Sequence, residues 1–562
     1  FHRGPDMRGR YTGGACALVS TRLAIIDIAT GRQPLFGPSG TVLVANGEIY
    51  NDLELRAEMA GTLFRTGSDC EPPAHLYARL GLGYAERLRG MYAIAIYDPE
   101  PARLVLSRDP FGIKPLYYTE TPRYFAFASE IQALLKAGLA RPAVAPARRA
   151  ELMQLKFTTG AATIIPGVMR VLPGETLAIE QGRVVERRLR QPLPAAPPQR
   201  ISLQDALAKL DAILADSVAV HLRSEVPYGL FLSGGIDSSA LLALMRRLSR
   251  QKVRAISVGY ADTDSAAVDG REAERIAALA GADFQRIEMG PDDFWALAPR
   301  IAAAIDDPTT DAAVLPTYML GQAARQAGLT VTLCGEGADE LFGGYSRYRR
   351  GRAPWRWLAR KARSRGVFDA FAPMTRAIGA WRLGLDAAEA HDSSSAWSGV
   401  QSLQAIDCRE WLANDLLGKL DRSLMAHGIE GRTPFIDPVV AGFAFALPDR
   451  LKIGPRLGKV LLRNWLDRAL PGARAFARKR GFNPPVGSWM AARREELARL
   501  VSAQPGIAAM APAAAVGEVF ADPKRHAQEA WSLVFYALWH SHHILGVPRD
   551  GAIDAVLTQA AR

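Results

Sequence analysis

The stretch that decides the fold runs from Tyr228 to Leu248: YGLFL (228–232), then Ser233-Gly234-Gly235-Ile236-Asp237-Ser238-Ser239, then ALLALMRRL (240–248). The short apolar run reads as a buried strand and the last run as a helix. Glycines between them let the chain turn sharply and bring backbone N–H groups close to an anion. Serine hydroxyls add donors, and the helix N-terminus adds the positive end of its dipole. This is a phosphate cradle of a type other than G-x-x-x-x-G-K-[ST]. A Gly-Ser turn that only caps a helix is the weaker reading, because open α/β sheets place ligands at the carboxyl ends of their strands. Asp237 is then a candidate magnesium ligand as well as a first-turn acid.

A second strand, LTVTLCG (329–335), leads into Cys334-Gly335-Glu336-Gly337-Ala338-Asp339-Glu340-Leu341-Phe342-Gly343-Gly344-Tyr345. Three acids among glycines at a strand end oppose folding and suit metal binding or acid–base work beside a phosphate. An acidic helix start would explain Asp339 and Glu340 but not the glycines. VRAISVGY (253–260) supplies a third isolated strand. Strands of this kind followed by helices predict a parallel α/β core, and beyond residue 350 the pattern is largely helical.

Upstream the texture differs. TVLVANGEIYN (41–51), MYAIAIYD (91–98), RLVLSRD (103–109) and YFAFASE (124–130) read as antiparallel strands, with helical spacing in DLELRAEMA (52–60) and PAHLYARLGLG (73–83). That predicts a layered α+β domain over 1–190, and RLAIID (22–27) is taken as a further strand. QPLPAAPPQR (191–200), with four prolines and no periodicity, is the expected linker to a second domain over 201–562.

With 562 residues, 49% hydrophobic and 22% charged, the composition is that of a soluble globular chain and excludes a disordered tail or a fibre. No apolar run approaches the ~18 residues of a membrane span, so no membrane partner is expected. The four cysteines, Cys16, Cys70, Cys334 and Cys408, lack metal or disulfide spacing, and a cytoplasmic location is the default. Cys16 and Cys70 read as buried small apolar residues. The net charge of +12 comes partly from basic runs at Arg347, Arg349, Arg350 and Arg352, then Arg356, Arg360, Lys361, Arg363 and Arg365. These read as solvated or phosphate-facing surface, with no nucleic-acid partner, since a groove for one wants interleaved aromatics.

The pattern SGGxDSS resembles the PP-loop of ATP pyrophosphatases, and the chain as a whole resembles the glutamine-dependent asparagine synthetases. In the second half the resemblance rests on that loop, GEGADELFGGY (335–345), MAHGIEGRTPFID (425–437), KVLLR (459–463) and RKRGFNPPVGSW (478–489). In the first half it rests on HRGPD (2–6), RLAIID, NGEIYN (46–51), TGSDCE (66–71) and RDPFGIKPLYY (108–118). It implies an N-terminal-nucleophile αββα glutaminase domain followed by an α/β synthetase domain with a largely helical C-terminal part.

By this resemblance Arg22 and Asp69, with Glu48, would clamp glutamine, and Asn46 with the Gly47 N–H would form an oxyanion hole. Read from the residues alone, Asn46-Gly47 is as well a turn. Leu232, Val258, Cys334 and Gly335 would lie against ATP, and Ser233, Gly234, Gly235, Ser238 and Ser239 would hold its pyrophosphate. Asp237 and Asp339 would hold Mg2+. Glu336 would support a β-aspartyl-AMP intermediate and its attack by ammonia delivered through an internal tunnel. Lys459 would neutralise charge in the adenylation transition state, although unaided it reads as a surface lysine. Arg432 is open between a substrate contact and an internal ion pair. A homodimer is implied by the family alone.

The family's nucleophile is an N-terminal cysteine, expected upstream of Phe1 and not replaceable by Cys16, which has no free amino group. The chain as written is therefore expected not to hydrolyse glutamine, and the full-length protein to do so. The alternative within this fold is an amidotransferase or β-lactam synthetase-like ligase that adenylates another carboxylate. A tRNA-modifying PP-loop enzyme and a non-catalytic subunit are the readings from other classes. The intact Arg22, Asn46, Glu48 and Asp69 argue for glutamine as nitrogen donor.

Overall fold

The computed structural model describes residues 2–261, 266–352, 363–391, 394, 396–477 and 483–561. Arg356, Arg360 and Lys361 of the basic run, and the RKRGF portion (478–482) of the last motif, lie outside the described residues.

The first half contributes strands β1 (Met7–Gly13), β2 (Cys16–Arg22), β3 (Leu35–Phe36), β4 (Val42–Ile49), β5 (Gly90–Asp98), β6 (Arg103–Arg108), β7 (Tyr117–Glu120), β8 (Phe125–Ala128), β9 (Val168–Arg170), β10 (Glu175–Glu180) and β11 (Arg183–Leu189). One sheet has the order β11-β10-β6-β5-β4-β3; the hairpin β1-β2 and a sheet β8-β7-β9 stand apart from it. Residues alternate across the large sheet as the strand period demands. Leu43, Ile94 and Ile96 pack with Leu55, Leu76 and Tyr84 of the helical segments on one face. Val42, Val44, Ala93 and Ala95 pack with Leu18, Tyr118 and Phe127 of the smaller sheets on the other.

The fourth layer, helices Ile131–Lys136 and Pro146–Leu155, buries Ile131, Leu134, Leu152 and Met153 in a core shared with the second half. The fold is thus a helix–sheet–sheet–helix sandwich whose outer helices are closed by the second half.

That half is built on a parallel sheet of β12 (Tyr228–Phe231), β13 (Arg254–Tyr260), β14 (Asp283–Met289), β15 (Val331–Leu333) and β16 (Glu430–Arg432). Its order is β14-β13-β12-β15-β16, so the winding direction reverses between β12 and β15. Such a switch point leaves a crevice at the strands' carboxyl ends. Four helices matter below: α1 (Ile236–Leu248), α2 (Val314–Gln326), α3 (Gly418–Met425) and α4 (Val460–Ala469).

Several expectations need correction. RLAIID is a loop: β2 ends at Arg22, whose guanidinium donates to the carbonyls of Ile26 and Asp27, while the Asp6 carboxylate accepts from Ala24 N–H. Side chains take the bonds a ladder would have used. Asn46-Gly47 is no turn; it lies inside β4, paired with Ala93 and Tyr92. The proline-rich 191–200 stretch is irregular but docked, since Trp397 donates to Pro194 O and Gln401 to Ala196 O, and Leu193 is buried. Cys70 is buried, but Cys16 is only half-buried at the start of β2. Arg347 is not free surface: it pairs with Asp407 at 2.7 Å and stacks over Tyr345. Arg363 stacks over Trp411.

The loop RDPFGIK shows how the halves are joined. Buried Asp109 accepts N–H bonds from Phe111 (3.1 Å), Ile113 (2.9 Å) and Lys114 (3.0 Å). Arg108 donates to three carbonyls, of Gly112, Lys114 and Val171. The turn so fixed places the Lys114 ammonium 3.4 Å from Glu430 on β16. Asp109→Ala would leave these buried donors unsatisfied at ~1–3 kcal/mol each. The expected outcome is a stability loss of at least ~3 kcal/mol, read as a lower urea midpoint.

Candidate functional site

At the switch point the loop after β12 closes on itself. Ser238 Oγ accepts from Ser233 N–H at 3.2 Å and lies 3.1 Å from Ser233 Oγ, and Gly235 N–H donates to Ser233 Oγ. Gly234 sits at φ +72° with Ala273 against the position a Cβ would take, so only glycine fits. The Ser239 hydroxyl is buried and has no hydrogen-bond partner among the described residues. Leu232 and Val258 are buried, and Leu232 N–H donates to Ile256 O. On the other flank Cys334 and Gly335 leave β15; a Cβ on Gly335 would lie 3.1 Å from Asp237 Cβ. The predicted ATP-binding residues thus converge at the ends of three adjacent strands.

Lys459 crosses this crevice. It precedes α4 in the left-handed region (φ +57°), a strained backbone for a side chain with a Cβ, which is a hallmark of functional positions. Its ammonium lies 2.6 Å from Asp237 Oδ2 and 2.8 Å from Asp339 Oδ1. Burial pulls its pKa down, but the two carboxylates outweigh that and raise it. The surface-lysine reading therefore fails: Lys459 is 3% exposed and joins residues 222 positions apart.

Two carboxylates converging on one cation beside the serine-glycine loop also fit Mg2+, which prefers one or two carboxylates plus phosphate oxygens. Among the described residues there is no cluster of three or more His, Cys, Asp or Glu able to hold a metal without such help. Glu336 is half-buried nearby; burial raises its pKa, and Lys419 is the charge that most opposes this. Glu340 accepts from the Tyr345 hydroxyl at 2.7 Å, and burial, then Asp339, push it up to about 7.

A second constellation lies in the first half. Gly47 has φ +139°, and a Cβ there would fall 1.9 Å from Met91 O, so the glycine is obligatory. Beside it Asn46 Nδ2 is buried with no hydrogen-bond partner among the described residues, an unused donor. Asp69 accepts from Ile49 N–H at 2.6 Å. Burial raises the Asp69 pKa to about 6, and burial together with Asp69 raises Glu48 well above the carboxylate range. The Arg22 charge reaches Cys70, whose Sγ contacts Gly47 O and Asp69. Asn46, Gly47, Glu48 and Asp69 are therefore neighbours, while the Arg22 guanidinium is engaged by the carbonyls of Ile26 and Asp27.

The residue that links the two constellations is Arg432, which the sequence left open. Fully buried, it lies 3.2 Å from Glu48 and 2.9 Å from Glu430, and donates to the carbonyls of His221 and Arg223. It is an internal anchor. Its own carbonyl accepts from Cys334 N–H at 2.8 Å, so one residue touches both sites. Sequence reasoning also missed buried Lys419, 2.7 Å from Asp311; nothing in GKLDR distinguishes an interior lysine from a solvated one.

A Cβ on Gly344 would fall 1.8 Å from Asp339 Oδ1 and 2.5 Å from Lys459 Cε. Gly344→Ala is expected to separate that pair and lower stability by ~1–3 kcal/mol, read as a lower urea midpoint.

The chain matches the family model "Asparagine synthase" over residues 209–541 and "Glutamine amidotransferase domain" over residues 1–189. It is 31% identical to asparagine synthetase [glutamine-hydrolyzing] 1 of Bacillus subtilis (strain 168), over 97% of this chain and 92% of that protein. A putative asparagine synthetase [glutamine-hydrolyzing] of Mycobacterium bovis is 32% identical over 96% of this chain and 92% of its own length. Asparagine synthetase B of Escherichia coli (strain K12) is 28% identical over 90% and 81%.

Proposed function

Because this chain belongs to the asparagine synthase family, its first half matching the glutamine amidotransferase domain, we propose that it makes asparagine from aspartate, ATP and nitrogen taken from glutamine. The observation that carries the reading is Lys459 held between Asp237 and Asp339 under the serine-glycine loop at the switch point.

In this reading the loop from Ser233 to Ser239 receives the β- and γ-phosphates, its N–H groups and hydroxyls replacing water. Leu232, Val258 and the Cys334-Gly335 backbone receive the adenosine. Asp237 and Asp339 would hold magnesium, which would supply positive charge to neutralise the phosphate oxygens. Lys459 then turns from the aspartates to the phosphates. A β-carboxylate oxygen of aspartate attacks the α-phosphorus, and the bond to pyrophosphate breaks. Ammonia attacks the resulting acyl carbon, AMP leaves, and Glu336, kept ready to be neutral by burial, accepts the ammonium proton.

On the glutaminase side Arg22 takes the α-carboxylate of glutamine, and Asp69 with Glu48 the α-ammonium. Asn46 Nδ2 and Gly47 N–H supply the oxyanion donors. Domain limits of 1–190 and 201–562 belong to the same proposal. Among the described residues no helix is long and apolar enough to cross a membrane.

The test is pyrophosphate release from ATP with ammonia as nitrogen source and a panel of carboxylic acids. Stimulation by aspartate is expected; a flat response to aspartate beside strong release with another acid overturns the reading. Lys459→Met should lower the aspartate rate at least ~hundredfold.

Glutamine binding should depend on pH. Asp69 has its pKa raised to about 6, so it is ionised above that value and able to pair with an ammonium. As pH falls through about 6 it protonates and the pairing is lost. The glutamine Kd, measured by calorimetry from pH 8 to 5, should rise across that interval, while a constant Kd would remove Asp69 from the site.

A further inference from the structure

Between the helix Leu203–His221 and β12 runs a short connector, residues 222–227, that grips the first half at two places. Arg223 lies 2.6 Å from Asp52 Oδ1 and donates to the Tyr50 carbonyl at 3.0 Å, just past the end of β4. Glu225 takes the loop that follows β2. Its N–H donates to the Ile25 carbonyl at 3.0 Å. Its carboxylate accepts from Asp27 N–H at 2.7 Å and from Ile28 N–H at 3.3 Å.

The same loop aims Arg22. Arg22 Nη2 donates to the carbonyls of Ile26 at 2.7 Å and Asp27 at 3.0 Å. Nη1 has the Met7 sulfur at 3.7 Å, a weak acceptor that a carboxylate would readily displace. The loop is thus pinned from both sides. Its carbonyls at 26 and 27 meet Arg22, and its N–H groups at 27 and 28 meet Glu225. The fit leaves no slack, since a Cβ on Gly31 would fall 2.5 Å from Arg22 Nη2.

Asp27 forms the bend between these two sets of bonds. Its φ of +53° lies in the left-handed region, which costs a residue with a Cβ ~1–3 kcal/mol. Its side chain offsets part of that locally, accepting from Thr30 N–H at 3.0 Å and the Thr30 hydroxyl at 2.6 Å. Its N–H goes to Glu225, 198 positions away and in the other half of the chain. A carboxylate that accepts backbone N–H groups makes charge-assisted bonds, the stronger kind. Without them the bend would relax, and the carbonyls of Ile26 and Asp27 would no longer hold Arg22 at one angle.

We propose that Glu225 is a positioning residue for glutamine. From the synthetase half it sets the 25–28 loop, and through that loop the angle at which Arg22 meets the α-carboxylate. Glu225 itself touches no substrate. The glutamine site is therefore complete only with the two halves docked, and one short strand, β12, runs from this contact to the phosphate loop. The inference rests on the proposed role of Arg22 and adds to it the residue that aims it.

The test separates the α-carboxylate from the rest of glutamine. Kd is measured by calorimetry on the full chain for glutamine and for glutaminamide, whose α-carboxylate is replaced by an uncharged amide. The wild type should bind glutamine at least ~tenfold tighter than glutaminamide. Glu225→Ala should shrink that ratio at least ~fivefold, by weakening glutamine and sparing glutaminamide. Glu225→Gln keeps one acceptor oxygen and should shrink it less. In Arg22→Ala the ratio should already be lost, and adding Glu225→Ala should change it no further, because the two act as one unit.

The ratio is taken within one preparation, so a smaller folded fraction does not move it. An unchanged ratio in Glu225→Ala, or both Kd values raised equally, overturns the positioning role and leaves the glutamine site standing. A wild type that binds glutamine no tighter than glutaminamide overturns the Arg22 clamp itself, and this inference with it.

Discussion

The guanidinium of Arg432 is the interaction on which the two halves depend. It enters from the last strand of the parallel sheet, pairs with Glu430 beside it and Glu48 opposite, and fills two further carbonyls. Burial opposes its charge, and the two carboxylates more than compensate. A buried pair of this sort is weak evidence for stability, since desolvation cancels much of the attraction. What it does enforce is geometry. Glu48 and Glu430 reach one guanidinium, at 3.2 and 2.9 Å, in a single mutual placement of the sandwich and the sheet.

Around that node the interface continues in the same style. Lys114 approaches Glu430 and Asp421, and Arg3 reaches Asp421 at 2.6 Å. Arg422 donates to the Tyr117 hydroxyl, and Arg170 pairs with Asp307 at 2.7 Å. Apolar cores flank this seam: Tyr50, Met91, Phe111 and Ile113 pack into the cluster under α1, and Ile131 and Leu152 into the one beside α2. Apolar area supplies the cohesion between halves. The charged seam between these cores sets their register, because a shifted interface would strand several ions in a dry environment.

Much of this was legible in the amino-acid sequence. β4, β5, β6, β12, β13 and β15 are runs of Val, Ile, Leu and aromatics, and such runs have few other readings. β14 was hidden because DFQRIEM is an edge strand with polar residues on one side, and β16 because three residues carry no period. RLAIID looks like a strand by composition, but the hydrogen bonds that straighten it come from Arg22 and Asp6, which composition does not reveal.

The site residues were readable as motifs, whereas their couplings were not. Lys459 reads as one more helix lysine until its left-handed backbone turns it inward. Asp311 and Lys419 lie 108 positions apart, and the packing of α3 on α2 brings them together.

The placement of Asn46-Gly47 inside a strand has a chemical consequence beyond recognition. In a loose chain this dipeptide is prone to cyclise, the glycine nitrogen attacking the asparagine side-chain carbonyl carbon and expelling ammonia, after which water opens the imide to an acid. Here Gly47 is clamped in the β4–β5 ladder, where its nitrogen cannot swing onto that carbon. Folding therefore preserves the amide from ageing. A molecule that stays open too long would return with an acid in place of that buried amide donor.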